Sequence, residues 1–212
     1  EIQRVQVLAV VLFVLVALTF CVINAFPRLV ERMFRDGLNW WEPLAIIGPF
    51  ALYEVGVLFI LRWRQAKDLD FPVYGRFANA LIETSMPSAI IFVLSHHMEP
   101  ETVFGFWPPL LYFIFIVLST LRLDFWLSLW TGAVAAAELF GLALLLLPLD
   151  PAGSRPEESM VYHFSRSMML MLAGVAAAIV ARALRRQFED SVAAAQARDK
   201  VTNLFGQHVS PV

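Results

Sequence analysis

Four ionisable side chains lie inside long apolar stretches of the sequence, namely Glu54, Glu83, Glu138 and Arg166. A charge at the centre of a bilayer costs at least about 2.5 kcal/mol, so a residue of this kind is a candidate for function. Counted along their predicted helices at about 1.5 Å per residue, Glu54 and Glu138 are expected at a similar depth, within reach of the long Arg166 side chain. Groups in that arrangement can form an ion pair, bind a polar ligand or pass a proton.

These residues allow three interpretations, which the sequence leaves open. The first is an interhelical network of ion pairs and hydrogen bonds that fixes the helix register. The second is a polar pocket for a small-molecule or lipid ligand, since aromatic walls with a few convergent polar groups are typical of a binding site. The third is proton translocation through the carboxylates. The candidate residues for this network or pocket are Tyr53, Glu54, Glu83, Tyr112, Trp130, Glu138 and Arg166.

Three histidines are predicted on one side of the membrane, with His96 and His97 ending one apolar stretch and His163 beginning another. Neutral imidazole with carboxylates nearby suits a borderline transition metal, so the sequence predicts a candidate zinc or copper site there. The alternative is a set of interfacial histidines that hydrogen-bond water and lipid headgroups. A haem held by two histidines needs them on facing helices at membrane depth, whereas these lie at the rim.

The composition indicates which elements position these groups. Of the 212 residues, 59% are hydrophobic and only 16% are charged, and the mean hydropathy is +0.67. This hydrophobic fraction exceeds that of a typical soluble globular domain. A membrane-spanning helix needs about 20 apolar residues. The sequence therefore predicts an all-α integral membrane protein, a bundle of six transmembrane helices. The predicted spans are residues 5–26, 44–61, 77–94, 103–121, 125–147 and 162–184.

Two predicted spans contain runs of small residues, 132–137 in the fifth span and 174–178 in the sixth. Helix backbones approach each other closely where side chains lack bulk, so we expect these two spans to pack together. No internal repeat relates the first three spans to the last three, which disfavours a transporter built from inverted repeats.

Basic residues set the predicted orientation, because loops rich in Lys and Arg stay on the cytoplasmic side of a membrane. Such residues lie before the first span, between the second and third, between the fourth and fifth, and after the sixth. Both termini are therefore predicted in the cytoplasm, for a multi-pass protein of the cell's inner (plasma) membrane. The first loop, residues 27–41, has basic residues on the opposite side, and its apolar spacing predicts an amphipathic helix at the outer interface.

Several function classes are excluded by the same sequence. A net charge of −2 without a clustered basic surface argues against nucleic acid as a partner. The single cysteine, Cys21, permits no disulfide framework. No P-loop, Gly-x-Gly-x-x-Gly, Cys-x-x-Cys or Gly-x-Ser-x-Gly pattern occurs, so these soluble-enzyme signatures are absent. Membrane lipid is the partner that the composition predicts.

Beyond the sixth span the sequence changes to alternating charges on good helix formers. Phe188, Val192 and Ala195 form a thin apolar stripe at spacings of four and three. The pattern predicts a cytoplasmic signalling helix that extends the sixth span toward a partner chain. We therefore divide the chain into a transmembrane domain, residues 1–184, and a cytoplasmic helix and linker, residues 185–212.

The C-terminal residues 198–212 contain the phrase Phe-Gly-Gln-His-Val-Ser-Pro, which begins at Phe205. Gly206 is expected to end a helix and Pro211 cannot continue one, so the phrase predicts a short, rigid coupling to a following domain. It resembles the stretch that precedes the catalytic domain of class III nucleotide (adenylyl or guanylyl) cyclases, where the pattern is Phe-Gly-x-x-Val-Ser-Pro. Two membrane segments also look similar to bacterial cyclases of this class, residues 79–85 and 118–125.

The resemblance implies that this chain is the membrane anchor, dimerisation module and sensor or regulatory domain of a cyclase. Catalytic sites of that class form between two cyclase domains, which implies a homodimer and cyclic AMP production in the full-length protein. The family's catalytic residues, with their magnesium or manganese, are expected beyond Val212, so this segment alone is expected to be inactive. The alternatives are a small transporter or channel with a regulatory tail, and a metal- or haem-binding membrane redox protein.

Overall fold

A computed structural model describes residues 2–27, 34, 42–67, 69, 72–147 and 160–208 of the chain. The regular elements in these ranges are all helical and no strand occurs among them, which confirms the predicted all-α class. The amphipathic helix predicted in the first loop lies outside the described residues, except for its first residue and Phe34. Pro211 of the C-terminal phrase also lies outside them.

Eight α-helices and two short 3-10 turns follow one another in the described ranges. The helices are α1 Ile2–Ala25, α2 Glu42–Ala66, α3 Val73–Thr84, α4 Met86–His97, α5 Pro100–Gly105, α6 Leu111–Ser119, α7 Phe125–Leu146 and α8 Met160–His208. The 3-10 turns are Pro108–Leu110 and Thr120–Arg122. Proline at the first or second position of α4 and α5 helps to begin those helices, because its missing N–H has no partner at a helix start.

Three helical stretches of the described chain are long and apolar enough to cross a membrane. They are Val73–His97, which joins α3 and α4 through a turn at Ser85, then Phe125–Leu146 and Met160–Lys200. Two shorter apolar helices, Val7–Val22 and Pro108–Arg122, accompany them. The described residues thus support a membrane protein, with three candidate spans rather than the predicted six.

The predicted fourth span, residues 103–121, is divided in the structure. α5 ends at Gly105, and a 3-10 turn that begins at Pro108 separates it from α6. Proline lacks a backbone N–H and its ring clashes with the preceding turn, so one helix cannot run through Pro108 and Pro109 unbroken. α6 has only nine residues, which is too short to cross a hydrocarbon core of about 30 Å.

The core lies where α4, α5, α6 and α7 meet. Its largest fully buried side chains include Ile91, Phe104 and Tyr112. Apolar side chains also face outward, as Leu52 and Leu145 do with exposed fractions of 74% and 81%. Apolar groups on both the inside and the outside are expected of helices whose surroundings are lipid rather than water.

α7 and α8 pack as an antiparallel pair at backbone contact. A Cβ atom built on Gly174 would lie 2.5 Å from the Cα atom of Gly132, a distance that real Cβ atoms do not tolerate. Both positions therefore require glycine, and no side chain separates the two helices where they cross. The close packing predicted from the small residues of the fifth and sixth spans is confirmed.

α8 extends far past this contact. It contains 49 residues, about 70 Å of continuous helix, and every described side chain from Arg182 to Lys200 is exposed. Its exposed residues include the predicted apolar stripe, with Phe188 exposed at 61% and Val192 at 39%. The part of α8 from Arg182 to Lys200 therefore projects from the bundle, and no other described element covers it.

The expected helix end at Gly206 is wrong. The backbone of α8 runs through Phe205 and Gly206 and ends at His208. A glycine inside a helix costs only about 1 kcal/mol, which the adjoining turns of an established helix offset. The C-terminal phrase therefore begins inside the helix rather than after it.

Candidate functional site

A first polar network forms around Glu83 of α3. Glu83 and Asn79 are four residues apart on one helix face, and both are buried. Nη2 of Arg122 donates to Oε2 of Glu83 over 2.7 Å, and the two side chains are only 2% and 5% exposed. The network therefore contains a buried ion pair, which holds the end of the second 3-10 turn against α3.

The network continues on both sides of this ion pair. Nδ2 of Asn79 donates to Oε1 of Glu83, and the Tyr53 hydroxyl donates to the side-chain Oδ1 of Asn79 over 2.8 Å. On the other side, Nη1 of Arg122 donates to the backbone oxygen of Arg76 over 3.2 Å. α2, α3 and the turn before α7 are thus joined by side-chain hydrogen bonds.

The turn that carries Arg122 has a specific local geometry. The next residue, Leu123, has a φ of 54°, in the left-handed region that residues other than glycine rarely adopt. Asp124 then caps α7, where its carboxylate accepts the N–H of Leu127 over 3.1 Å. The left-handed residue and the cap reverse the chain within two residues, so that Arg122 faces back toward α3.

A second polar network forms around Glu138 of α7. The Ser85 hydroxyl lies 2.5 Å from Oε1 of Glu138, and the Ser88 hydroxyl donates to Oε2. Oγ of Ser88 is also 2.6 Å from the hydroxyl of Tyr112. Since the single Ser88 proton goes to Glu138, the Tyr112 hydroxyl donates to Ser88. α4, α6 and α7 therefore meet at one carboxyl group.

The two networks differ in charge. Glu83 bonds to a guanidinium, whereas the hydrogen bonds that Glu138 accepts come from the hydroxyls of Ser85 and Ser88. Among the residues that the structure describes, no Lys or Arg forms an ion pair with Glu138. The Glu83 network is thus compensated by an opposite charge and the Glu138 network by neutral donors.

The structure divides the predicted set of pocket residues between these networks. Tyr53 joins Glu83, and Tyr112 joins Glu138, while Glu54 is buried on α2 with 2% exposure. Trp130 lies elsewhere, 40% exposed and packed edge-on against Phe77.

Arg166 takes a different position from the one expected. Its Nη1 donates to the backbone oxygen of Phe104 over 2.7 Å, and its guanidinium lies 5.6 Å from the centroid of the Tyr162 ring. Its partner is not Glu138. α5 ends at Gly105, ahead of Pro108 and Pro109, and the backbone oxygen of Phe104 in its last turn is left to accept from this long side chain.

Sequence reasoning missed three members of these networks, Asn79, Ser88 and Arg122. The spacing of Asn79 to Glu83 is a signal that the sequence contains, since residues four apart meet on a helix. In the sequence Arg122 is a basic residue between the fourth and fifth predicted spans and part of the cyclase-like segment 118–125, and neither feature indicates an ion pair. Its pairing with Glu83 depends on the left-handed backbone conformation of Leu123. A leucine gives no sequence signal for that conformation.

The three predicted metal ligands have different surroundings. His96 is exposed and its Nδ1 lies 2.9 Å from the Phe92 carbonyl oxygen, whereas His163 is 3% exposed and packs edge-on against Phe104. Within the described ranges, no group of three or more His, Cys, Asp or Glu residues is placed to hold a metal ion. Binding of zinc, copper or haem remains a prediction from the sequence.

Comparisons of the chain with protein-family models, with curated proteins and with solved structures find no match. Function is therefore inferred from the residues and geometry of this chain.

Proposed function

We propose that this chain is the membrane anchor, dimerisation module and sensor domain of a class III nucleotide cyclase, which makes cyclic AMP in the full-length protein. The observation that carries the proposal is α8, one continuous helix that packs against α7 at its start and is exposed from Arg182 to Lys200. The C-terminal phrase that resembles the entry to a cyclase domain begins at the far end of the same helix.

A continuous helix suits the transmission of a signal because its hydrogen-bonded turns move together. Gly132 and Gly174 bring α7 and α8 into backbone contact, so a displacement of α7 reaches α8 without a flexible side chain between them. Any rotation of the packed part of α8 then turns its exposed part through the same angle. A sensor needs such an element with two arrangements that a ligand can distinguish.

The Glu138 network supplies a point at which a signal can enter. It joins α4 and α6 to α7, which is the helix in contact with α8. A small-molecule or lipid ligand that competes for Ser85 or Ser88 would change how these helices are held. Such a ligand can shift the equilibrium between the two helix arrangements only by the difference between its binding free energies for them.

The exposed part of α8 supports a homodimer. Phe188 and Val192 are four residues apart and share one helix face, yet both are open to solvent. Two copies that pair through this face would bury the stripe and bring two catalytic heads together, as the catalytic sites of class III cyclases require.

The proposed topology has six spans, in the inner membrane, with both termini in the cytoplasm. It is supported by the three candidate spans, by the shorter apolar helix Val7–Val22 and by α2. The remaining crossing requires α5 and α6 to span the membrane together as one broken helix, since α6 alone is too short. The basic residues between the predicted spans favour the cytoplasmic side for Arg122 and for the start of the exposed part of α8.

An insertion experiment in the full-length protein tests the role of α8. Two alanines inserted after Ala197 turn the following residues by about 200°, whereas seven alanines nearly restore the original phase. We expect the first insertion to change cyclic AMP production by at least about fivefold, the usual lower range of coupling between sites. The seven-residue insertion is the matched control and should keep the activity close to that of the parent.

Two results contradict the proposal in different ways. If both insertions give the parental activity, α8 is a tether and the sensor role fails. If the full-length protein makes no cyclic nucleotide from ATP or GTP with magnesium or manganese, the assignment to the cyclases fails.

Cysteine cross-linking tests the dimer separately. In a Cys21→Ser background, Val192→Cys is expected to form a disulfide between two copies, because the stripe faces the dimer axis. Ala194→Cys, at an exposed position about 200° around the same helix, is the control that should not. Equal cross-linking at both positions would argue against a defined helix pair.

A further inference from the structure

A groove of about 600 Å³ opens where the start of α7 meets α8. It lies at the end of the α7–α8 pair, next to the left-handed turn at Leu123, where the packed part of α8 gives way to the exposed part. The side chains that line it come from this turn, from α7 and from α8. They are Leu123, Asp124, Phe125, Trp126, Arg182, Arg185, Arg186 and Glu189.

Three arginines and two carboxylates line the groove, so positive charge is in excess there. Nε of Arg185 is paired with Glu189 over 2.9 Å, and the Asp124 carboxylate accepts the N–H that begins α7. In the part of the chain that the structure describes, Arg182 and Arg186 form no ion pair or side-chain hydrogen bond. They are four residues apart on one face of α8, so both guanidinium groups are open toward the same volume.

The surface next to these guanidinium groups is apolar. Trp126, at the start of α7, is 68% exposed. On α8, Val175 and Ile179 are 37% and 59% exposed, and they lie seven and three residues before Arg182 on the same face of the helix. An exposed tryptophan and exposed aliphatic side chains directly beside cations are the arrangement found at the boundary between acyl chains and headgroups.

We propose that this groove binds the headgroup of an anionic phospholipid. Arg182 and Arg186 face the phosphate, since guanidinium groups donate paired hydrogen bonds to phosphate oxygens. Trp126 lies at the depth of the headgroup, and the acyl chains follow the exposed side of α8 along Ile179 and Val175. A lipid fits better than a free anion, because a free anion would leave the apolar flank of the groove exposed to water.

Lipid binding here would stabilise the position at which α8 leaves the bundle. The headgroup would contact α7 and α8 together, so its occupancy would favour the arrangement of the two helices that forms the groove. This consequence needs only that the helices lie in a membrane, and it holds whichever domain α8 carries.

Native mass spectrometry of the whole chain, released from nanodiscs of phosphatidylglycerol and phosphatidylcholine, tests the proposal. The parent is expected to retain phosphatidylglycerol in preference to phosphatidylcholine. The double variant Arg182→Gln/Arg186→Gln should lower the retained phosphatidylglycerol by at least about tenfold, since each arginine near an anionic surface contributes roughly a fivefold factor. Both positions are exposed, so the fold should be unaffected.

A matched control removes two other exposed cations, Arg62 and Lys67, from the end of α2. Arg62→Gln/Lys67→Gln should leave lipid retention close to that of the parent. If it reduces retention as much as the first variant does, the attraction is diffuse and the groove is not a site.

Two further arms complete the test. Arg182→Lys/Arg186→Lys keeps the charge but loses the planar guanidinium group, and intermediate retention of phosphatidylglycerol is expected.

Inorganic phosphate in lipid-free micelles should not raise the melting temperature of the parent. If phosphate alone raises it as much as phosphatidylglycerol does, the groove binds free anions and the lipid assignment is wrong. Equal retention of the two lipids by the parent would also overturn the proposal.

Discussion

Two carboxyl groups of this bundle, Glu83 and the partly buried Glu138, are held in opposite ways. Glu83 lies against the guanidinium of Arg122 at 2.7 Å, and both side chains are almost completely buried. Glu138 lies 55 residues later in the sequence, on α7. It accepts hydrogen bonds from the hydroxyls of Ser85 and Ser88 instead. One site is balanced by charge and the other by neutral hydrogen bonds.

The difference matters because a buried charge that loses its partner is far more costly than a neutral hydrogen bond that is lost. The Glu83 network is therefore a fixed connection between α2, α3 and the turn before α7. The Glu138 network can exchange a donor at lower cost, and this is why we favour it as the point where a ligand acts. Five substitutions test this contrast.

The largest effect is expected from Arg122→Ala. It leaves the Glu83 carboxylate buried without its guanidinium, and removal of one partner of a buried ion pair costs about 3–5 kcal/mol. Unfolding of the purified chain in mixed micelles, measured by tryptophan fluorescence, would give this free energy. Arg185→Ala is the matched control, because its pairing with Glu189 is exposed and its loss should leave the stability nearly unchanged.

The paired substitutions Glu83→Gln and Glu138→Gln compare the two sites directly. Glu83→Gln is expected to cost about 3 kcal/mol, because Arg122 loses its counter-charge. Glu138→Gln should cost about 1 kcal/mol, because an amide still accepts one hydroxyl and donates to the other. The same unfolding measurement applies to both variants, and equal costs would show that the charge difference has no energetic consequence.

A smaller effect is expected from Tyr112→Phe. The phenol is fully buried and its hydroxyl donates to Ser88, so its removal should cost about 1 kcal/mol. Tyr74→Phe removes a hydroxyl that is on an 88% exposed side chain and serves as the control. A Tyr112→Phe variant as stable as this control would mean that the hydroxyl chain does not hold α6 to α4.

The smallest effect belongs to Tyr53→Phe, at the periphery of the Glu83 network. Its hydroxyl bonds to Asn79 rather than to the ion pair, so we expect a loss of about 0.5–1 kcal/mol. Combined with Glu83→Gln, it should add less than its separate cost, since both variants disturb the same chain of hydrogen bonds. Full additivity in this double-mutant cycle would separate Tyr53 from the network.

Much of the fold was predictable from composition and spacing. Apolar stretches of sufficient length predicted an all-helical membrane protein, and the small residues around Gly132 and Gly174 predicted the contact between α7 and α8. The apolar stripe of Phe188 and Val192 predicted a helix that continues beyond the sixth span. These features are local, because helix periodicity and side-chain bulk depend on neighbours within a few turns.

The site was predictable only in its residue types. Glu83 and Glu138 were expected to matter because ionisable groups inside apolar stretches are costly. Their partners were expected to come from one shared pocket with Arg166. In the structure Arg166 donates instead to the open carbonyl of Phe104, and the compensating cation for Glu83 is Arg122.

What the sequence determined by itself is therefore a set of apolar helices, the buried ionisable groups on them, and a polar continuation of the last helix. Only the tertiary structure decided which partner each carboxyl group has and where the groove beside Arg182 and Arg186 opens. The physical reason is distance along the chain. Glu83 and Arg122 are 39 residues apart, and their contact depends on a left-handed turn at Leu123 that no local pattern specifies.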